Sequence, residues 1–227
     1  MKLTPLSVAA LLAWILSVCI HEFCHALVAY FGGDKSVRDK GYLTLDPTRF
    51  IDPIFSIALP AIILMMGGFP LPGGAVRIDW SLLKSEQWRR YVYAAGPASN
   101  FLLYLLFALP LHPALGLVDG RAGSQPDWVY FLGAMAYLNF FATLFNLLPI
   151  PPLDGYGIIE HRFSFETQRL LRQYAMLAIG GLFLLFYTVP AVWMPFGIMI
   201  NLVTDTLGFP MDLISDGFNY ILFNKLP

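Results

Sequence analysis

Charge is what this sequence has least of. Among 227 residues, 14 are Lys or Arg and 15 are Asp or Glu, 13% in all, about half the roughly 25% usual in soluble domains. So few charges cannot cover the surface of a water-soluble globule of this length. A net charge of −1 leaves no basic patch for nucleic acid. Cysteine is scarce as well, with only Cys19 and Cys24, which excludes a disulfide scaffold. Five positions apart in one apolar helix, their side chains diverge, and no bridge between them is expected. Internal repeats and low-complexity tracts are absent.

What the chain has instead is apolar length. Hydrophobic residues make up 57% and the mean hydropathy is +0.64, which excludes intrinsic disorder and predicts an all-α multi-pass membrane protein. The 17 Pro and 19 Gly are many for straight spans, so broken or re-entrant segments are expected. Runs long enough to cross a bilayer, about 20 residues, or nearly so, fall at Leu3–Phe31, Pro53–Phe69, Tyr91–Leu111, Trp128–Leu148 and Tyr174–Met194. A last stretch, Phe196–Phe223, is broken by Gly208, Pro210 and Gly217; it reads as one span or as a short span with an interfacial helix. The first run resembles a signal peptide in its Lys2 start, but it is too long, carries His21, Glu22 and His25, and lacks an Ala-x-Ala site, so it is expected to be retained. The expectation is about five to six transmembrane or re-entrant helices in a single membrane-embedded domain over 1–227.

Basic residues set the topology. Segments 32–52, 72–90 and 156–173 hold 11 of the 14 Lys and Arg, whereas 112–127 holds only Arg121, beside Asp119 and Asp127. By the positive-inside rule the first three are cytoplasmic and the last is outside. Segments 32–52 and 72–90 flank the second apolar run, yet both read as cytoplasmic. The element at 53–74 is therefore expected to be re-entrant, with Pro60, Gly67, Gly68, Pro70 and Pro72 supplying the breaks; an ordinary short span is the alternative.

The chemistry concentrates at His21-Glu22-Phe23-Cys24-His25. Positions i and i+4 of a helix share a face, so the two imidazoles can hold one Zn²⁺, while Glu22 is offset to serve as general base. Two helical histidines satisfied by neighbours are the bland alternative in a soluble helix. In hydrocarbon it weakens, because acidic and basic groups at mid-membrane cost about 2.5–3.5 kcal/mol each, and a divalent cation would compensate all three residues. A catalytic zinc takes three protein ligands and one open position. His112 and His161 lie in loops on opposite sides, so neither reaches membrane depth. Asp154 is the expected third ligand. It follows Pro149, Pro151 and Pro152, which break the fourth span into an unwound polar strip on the same side as His25.

These residues resemble those of the site-2 protease family of intramembrane zinc metalloproteases. His21-Glu22-x-x-His25 is similar to the family's zinc pair and catalytic glutamate. Ala95-Gly96-Pro97-Ala98-Ser99-Asn100 is similar to its Gly-Pro-x-x-Asn segment, and Asn146-x-x-Pro149…Leu153-Asp154-Gly155 to its Asn-x-x-Pro…Leu-Asp-Gly, whose Asp is a zinc ligand. The likeness is to small bacterial members without PDZ or CBS domains. Gly41-Tyr-Leu-Thr-Leu-Asp-Pro47 departs from them in Asp46, where Asn is frequent, and Phe50 stands where a polar residue is frequent.

The resemblance implies a zinc metalloendopeptidase with one Zn²⁺ per chain, acting on a transmembrane helix of a membrane-protein substrate from the cytoplasmic side of the cell membrane. Asn146 is a candidate second donor to the oxyanion, or else a packing amide. Asn100 and Asn139 read as helix-packing amides. Gly73-Gly74-Ala75-Val76-Arg77-Ile78-Asp79-Trp80 alternates after Gly74 and can form a strand edge, a short β-hairpin at the membrane edge, that holds an unwound substrate; the alternative is an interfacial loop anchored by Trp80. Two other function classes remain open, a divalent-metal carrier and a non-catalytic membrane scaffold. Both leave Glu22 unexplained.

Overall fold

The computed structural model describes residues 4–58, 60, 73–118 and 125–223. The first helix, α1 (Pro5–Gly32), is the longest at 28 residues. Thr4 caps its start, its Oγ1 accepting from Ser7 N–H at 3.1 Å, and Pro5 stands where a missing N–H costs nothing. Gly33 ends it at φ 128°, a conformation that side-chain-bearing residues avoid. The last carbonyls of α1 are taken by cations: Lys35 Nζ donates to Tyr30 O and Lys84 Nζ to Phe31 O, both at 2.8 Å. Positive charge at a helix C-terminus is where the helix dipole favours it.

A short helix α2 (Ser36–Asp39) follows. Then come α3 (Glu86–Ala108), capped by the Ser85 hydroxyl, and α4 (Asp127–Asn146). Helices α1, α3 with its 3₁₀ extension to Leu111, and α4 are each long and apolar enough to cross a membrane. A fourth crossing comes from the pair α6 (Phe165–Gln173) and α7 (Ala175–Thr188), which bend by 57° at Tyr174, if that pair is one span. Between α4 and α6 lies the six-residue α5 (Asp154–Ile159). The chain closes with α8 (Met194–Thr206) and α9 (Met211–Phe223).

The architecture is all-helical, with no β-strand among the described residues. The β-hairpin expected at 73–80 is absent there. Those residues do run extended, with Val76, Ile78 and Trp80 packed against α1 and α3 while Arg77 and Asp79 face out. Three to four candidate spans stand against the five to six expected. The difference falls partly on the 53–74 element, of which residues 59 and 61–72 lie outside the described residues, and partly on the C-terminal stretch. There Gly208, at φ 73°, separates two helices of 13 residues each, both shorter than the bilayer requires.

Packing is closest where glycines allow it. A Cβ at Gly133 would sit 2.4 Å from Leu213 O, and one at Gly217 2.4 Å from Tyr130 O. Helices α4 and α9 therefore touch backbone to backbone, as small residues permit in a membrane. Tyr104, Phe140, Phe209 and Ile214 fill one end of the bundle, where Tyr104 Oη and Thr204 Oγ1 pair at 3.1 Å. At the other end, fully buried Asp34 joins the loops. Its Oδ1 accepts from Ser36 N–H and Oγ–H, and its Oδ2 accepts from Asp79 N–H at 2.8 Å. That pins the extended segment to the end of α1. Cys19 and Cys24 are unbridged, as their spacing predicts.

Candidate metal centre

Helix geometry places His21 and His25 on the face of α1 that meets α3. The two helices run antiparallel there, since Val92 faces His25 and Asn100 faces His21. Val92, Gly96 and Asn100 are spaced by four and form one stripe along α3. Gly96 lies directly over the rings: a Cβ there would come within 2.3 Å of His25 Nε2 and 2.5 Å of His21 Nε2. No side chain fits at that position without displacing an imidazole.

Backbone chemistry fixes how the rings present themselves. His25 Nδ1 lies 2.6 Å from Val92 O. A carbonyl oxygen only accepts, so Nδ1 carries the proton, and in the neutral ring Nε2 holds a lone pair. His21 Nδ1 lies 3.0 Å from the Asn100 amide. The atom nearest the ring is Asn100 Nδ2; a half-turn of the amide puts its oxygen there, and only then does His21 donate from Nδ1 and take the same tautomer. This is the arrangement in which a ligating histidine donates its other N–H to a neighbour.

The third member arrives from α5. Asp154 Oδ2 sits 3.2 Å from His21 Nε2 and 3.3 Å from His25 Nε2, and the two Nε2 atoms are 3.0 Å apart. All three residues are largely buried. Three lone-pair atoms facing one another away from water repel unless a cation lies among them. A single proton would relieve one of the contacts; a divalent ion relieves all three. Around a tetrahedral zinc with ligands at about 2.0–2.1 Å, ligand atoms lie about 3.3–3.4 Å apart, close to the observed triangle. The three residues therefore fit a zinc ion, and they are the one such cluster among the described residues.

Glu22, 7% exposed, projects beside this triangle toward the extended segment. Gly74 lets that segment approach: a Cβ there would lie 3.2 Å from Glu22 Cγ and 3.3 Å from Phe50 Cβ. Phe50, 2% exposed, stacks on Tyr42 and accepts Ala75 N–H at its carbonyl, so its role is to seat the segment.

One sequence expectation shifts. Asn100 is more than a packing amide, because it holds His21; its i+4 spacing from Gly96 was the available signal. Asn146 is the last residue of α4 and half-buried, and its side chain makes no hydrogen bond among the described residues. It is not joined to the triangle. Asn139 does act as a packing amide, donating to Ser17 Oγ and Met135 O. Trp80 stacks on Tyr93 at 4.7 Å.

The chain matches the model of peptidase family M50 over residues 114–187, which include Asp154 but not the histidine pair. Similar proteins carry the printed name "Putative zinc metalloprotease". Rip2 of Mycobacterium tuberculosis is 37% identical over 183 residues, 78% of this chain and 67% of that protein. The chain belongs to peptidase family M50, the site-2 protease family. Rip2 of Mycolicibacterium smegmatis is 42% identical over 161 residues, 70% of this chain, and YwhC of Bacillus subtilis is 35% identical over 153 residues, 64% of it. The chain spans 58% of the length of the first of these and 65% of the second. No solved structure matches it significantly.

Proposed function

We propose that this protein is an intramembrane zinc metalloendopeptidase that hydrolyses peptide bonds within or near transmembrane segments of membrane-protein substrates. The observation that carries the reading is the triangle of His21, His25 and Asp154 lone pairs at 3.0–3.3 Å, with an acid that is not part of it, Glu22, buried alongside. The M50 relatives, named as zinc metalloproteases, support the same chemistry.

His21, His25 and Asp154 hold the ion, one per chain. Zinc bound there supplies a Lewis acid that polarises water and the scissile carbonyl and lowers the pKa of the water toward 7. Glu22 takes the proton from the attacking water and returns it to the leaving amine. Val92 O keeps His25 in the metal-holding tautomer, and Asn100, with its amide oxygen turned to the ring, does the same for His21. Asn146, whose amide is uncommitted, donates to the oxyanion.

A transmembrane helix must unwind before it can be cut, because its backbone is internally bonded. The extended segment 73–79 passes Glu22 and offers the edge along which an unwound substrate strand lies. Lysines at the C-terminus of α1 and the basic loops support a cytoplasmic position for this end of the site, in a single domain of the cell membrane with five to six spans once a re-entrant 53–74 is counted.

The test is cleavage of a panel of single-span peptides by purified protein. Cleavage should stop on zinc chelation and return with added zinc. Metal-independent cleavage, or zinc-loaded protein that cuts no peptide in the panel, contradicts the reading and returns the carrier and scaffold alternatives.

A further inference from the structure

Asp154 stands in the first turn of a helix only six residues long. So short a helix has no stability of its own, and the position of the carboxylate depends wholly on what α5 is fastened to. Two attachments are glycine contacts. Gly155 lies on the Leu147 and Leu148 carbonyls, and Gly157 lies flat on the Tyr93 ring. Leu153 adds an apolar contact with Ile179, Leu182 and Phe186. Contacts of this kind are non-directional and leave a short helix free to slide or turn.

The directional attachment comes immediately after α5. Glu160 is 2% exposed. Its Oε1 pairs with Arg89 of α3 at 2.6 Å and its Oε2 with Arg172 of α6 at 2.6 Å. The contact with Arg172, which is half exposed, is a charge-assisted hydrogen bond, while that with the more buried Arg89 is an ion pair; a carboxylate this buried depends on both charges. Arg89 also lies 5.1 Å above the Trp80 ring, which stacks on Tyr93. One carboxylate thus ties the helix bearing Asp154 and the end of the extended segment beside Glu22 to α3. That same helix carries Val92, Gly96 and Asn100 against the histidines.

We propose that Glu160, through Arg89 and Arg172, is a positioning residue that sets the approach of Asp154 to His21 and His25. The inference rests on the metal-holding reading of that triangle. Glu160 touches neither metal nor substrate; it fixes where α5 sits along α3. Removing the Glu160 charge leaves the largely buried Arg89 without its counter-charge, which lowers stability; in the protein that still folds, the expected consequence is a misplaced ligand.

The experiment uses the full chain in detergent, as wild type and as His21→Ala, Glu160→Gln and Glu160→Asp. It reads zinc affinity by competition with a chromophoric chelator, and the visible absorption of the Co²⁺-substituted protein. Wild type should show tetrahedral cobalt bands that His21→Ala loses; wild type without them contradicts the metal site itself. Glu160→Gln should bind zinc about 10–100-fold more weakly, the range for lost outer-shell support, with altered cobalt bands and unchanged helical content. Folded Glu160→Gln with wild-type affinity and bands overturns the positioning role, whatever its melting temperature. If Glu160→Gln does not fold, Glu160→Asp decides. It keeps the charge but is one methylene too short to reach both arginines, so its cobalt bands should shift, and unchanged bands overturn the proposal.

Discussion

The two halves of the proposed metal centre reach one point by opposite means. His21 and His25 are placed by local geometry, since four residues along one helix put two rings on one face wherever that helix goes. Asp154 is placed by everything except local geometry. Its chain leaves α4 at a proline-broken turn, winds for six residues, and is held by glycine contacts and the Glu160 ion cluster. The first half is rigid by construction and the second by assembly. Disturbing the scaffold should therefore damage the two halves differently, and the difference is measurable.

The largest expected effect comes from the helix that faces the histidines. Gly96→Ala leaves every ligand and Glu22 in the sequence, yet its Cβ would fall 2.3–2.5 Å from both rings. One or both imidazoles must move by about 1 Å, and a misplacement of that size can cost about 10²-fold in rate. Peptide cleavage should fall at least that far, with zinc content reduced, while circular dichroism stays that of a helical protein. Near-wild-type cleavage by Gly96→Ala would show that the histidine half is not fixed by α3.

A smaller effect is expected at Asn100. Asn100→Ala removes the partner of His21 Nδ1 while His25 keeps Val92 O. Zinc affinity should drop about 10–100-fold, less than for loss of a ligand, and Asn100→Asp, which presents a carboxylate oxygen to His21 Nδ1, should recover most of it. A chelator-competition titration reads both. Equal affinity in Asn100→Ala and wild type would remove Asn100 from the centre.

The same division explains what the sequence discloses. The histidine pair and Glu22 are legible because their geometry is carried by i, i+4 spacing. Asp154 is legible only by context, as an acid after a broken span beside an incomplete ligand set. Gly96 and Asn100 are visible as residues, but their task is not, because it arises from the antiparallel crossing of α1 and α3. Glu160 carries no sequence signal: its partners lie 71 positions before it and 12 after it. Helix ends follow the same rule. Thr4 and Ser85 cap by local chemistry, yet the third apolar run is a helix that begins at Glu86 rather than Tyr91, because Ser85 starts it there and Arg89 finds Glu160 and Trp80 as partners. The expected span Tyr174–Met194 is a helix that stops at Thr188 and bends into α6 at Tyr174, where Pro190 and tertiary packing override uniform hydropathy.

The most direct measurement of the central claim sets Glu22 against Asp154 in one experiment. Purified wild type, Glu22→Gln and Asp154→Asn are assayed for bound zinc and for cleavage of the same membrane peptide. Glu22→Gln should keep about one zinc per chain and lose about 10²–10⁴-fold in cleavage, the usual contribution of a positioned base. Asp154→Asn should lose metal and cleavage together. Glu22→Gln cutting at the wild-type rate, or Asp154→Asn holding zinc as tightly as wild type, would contradict the assignment of base and ligand on which the account stands.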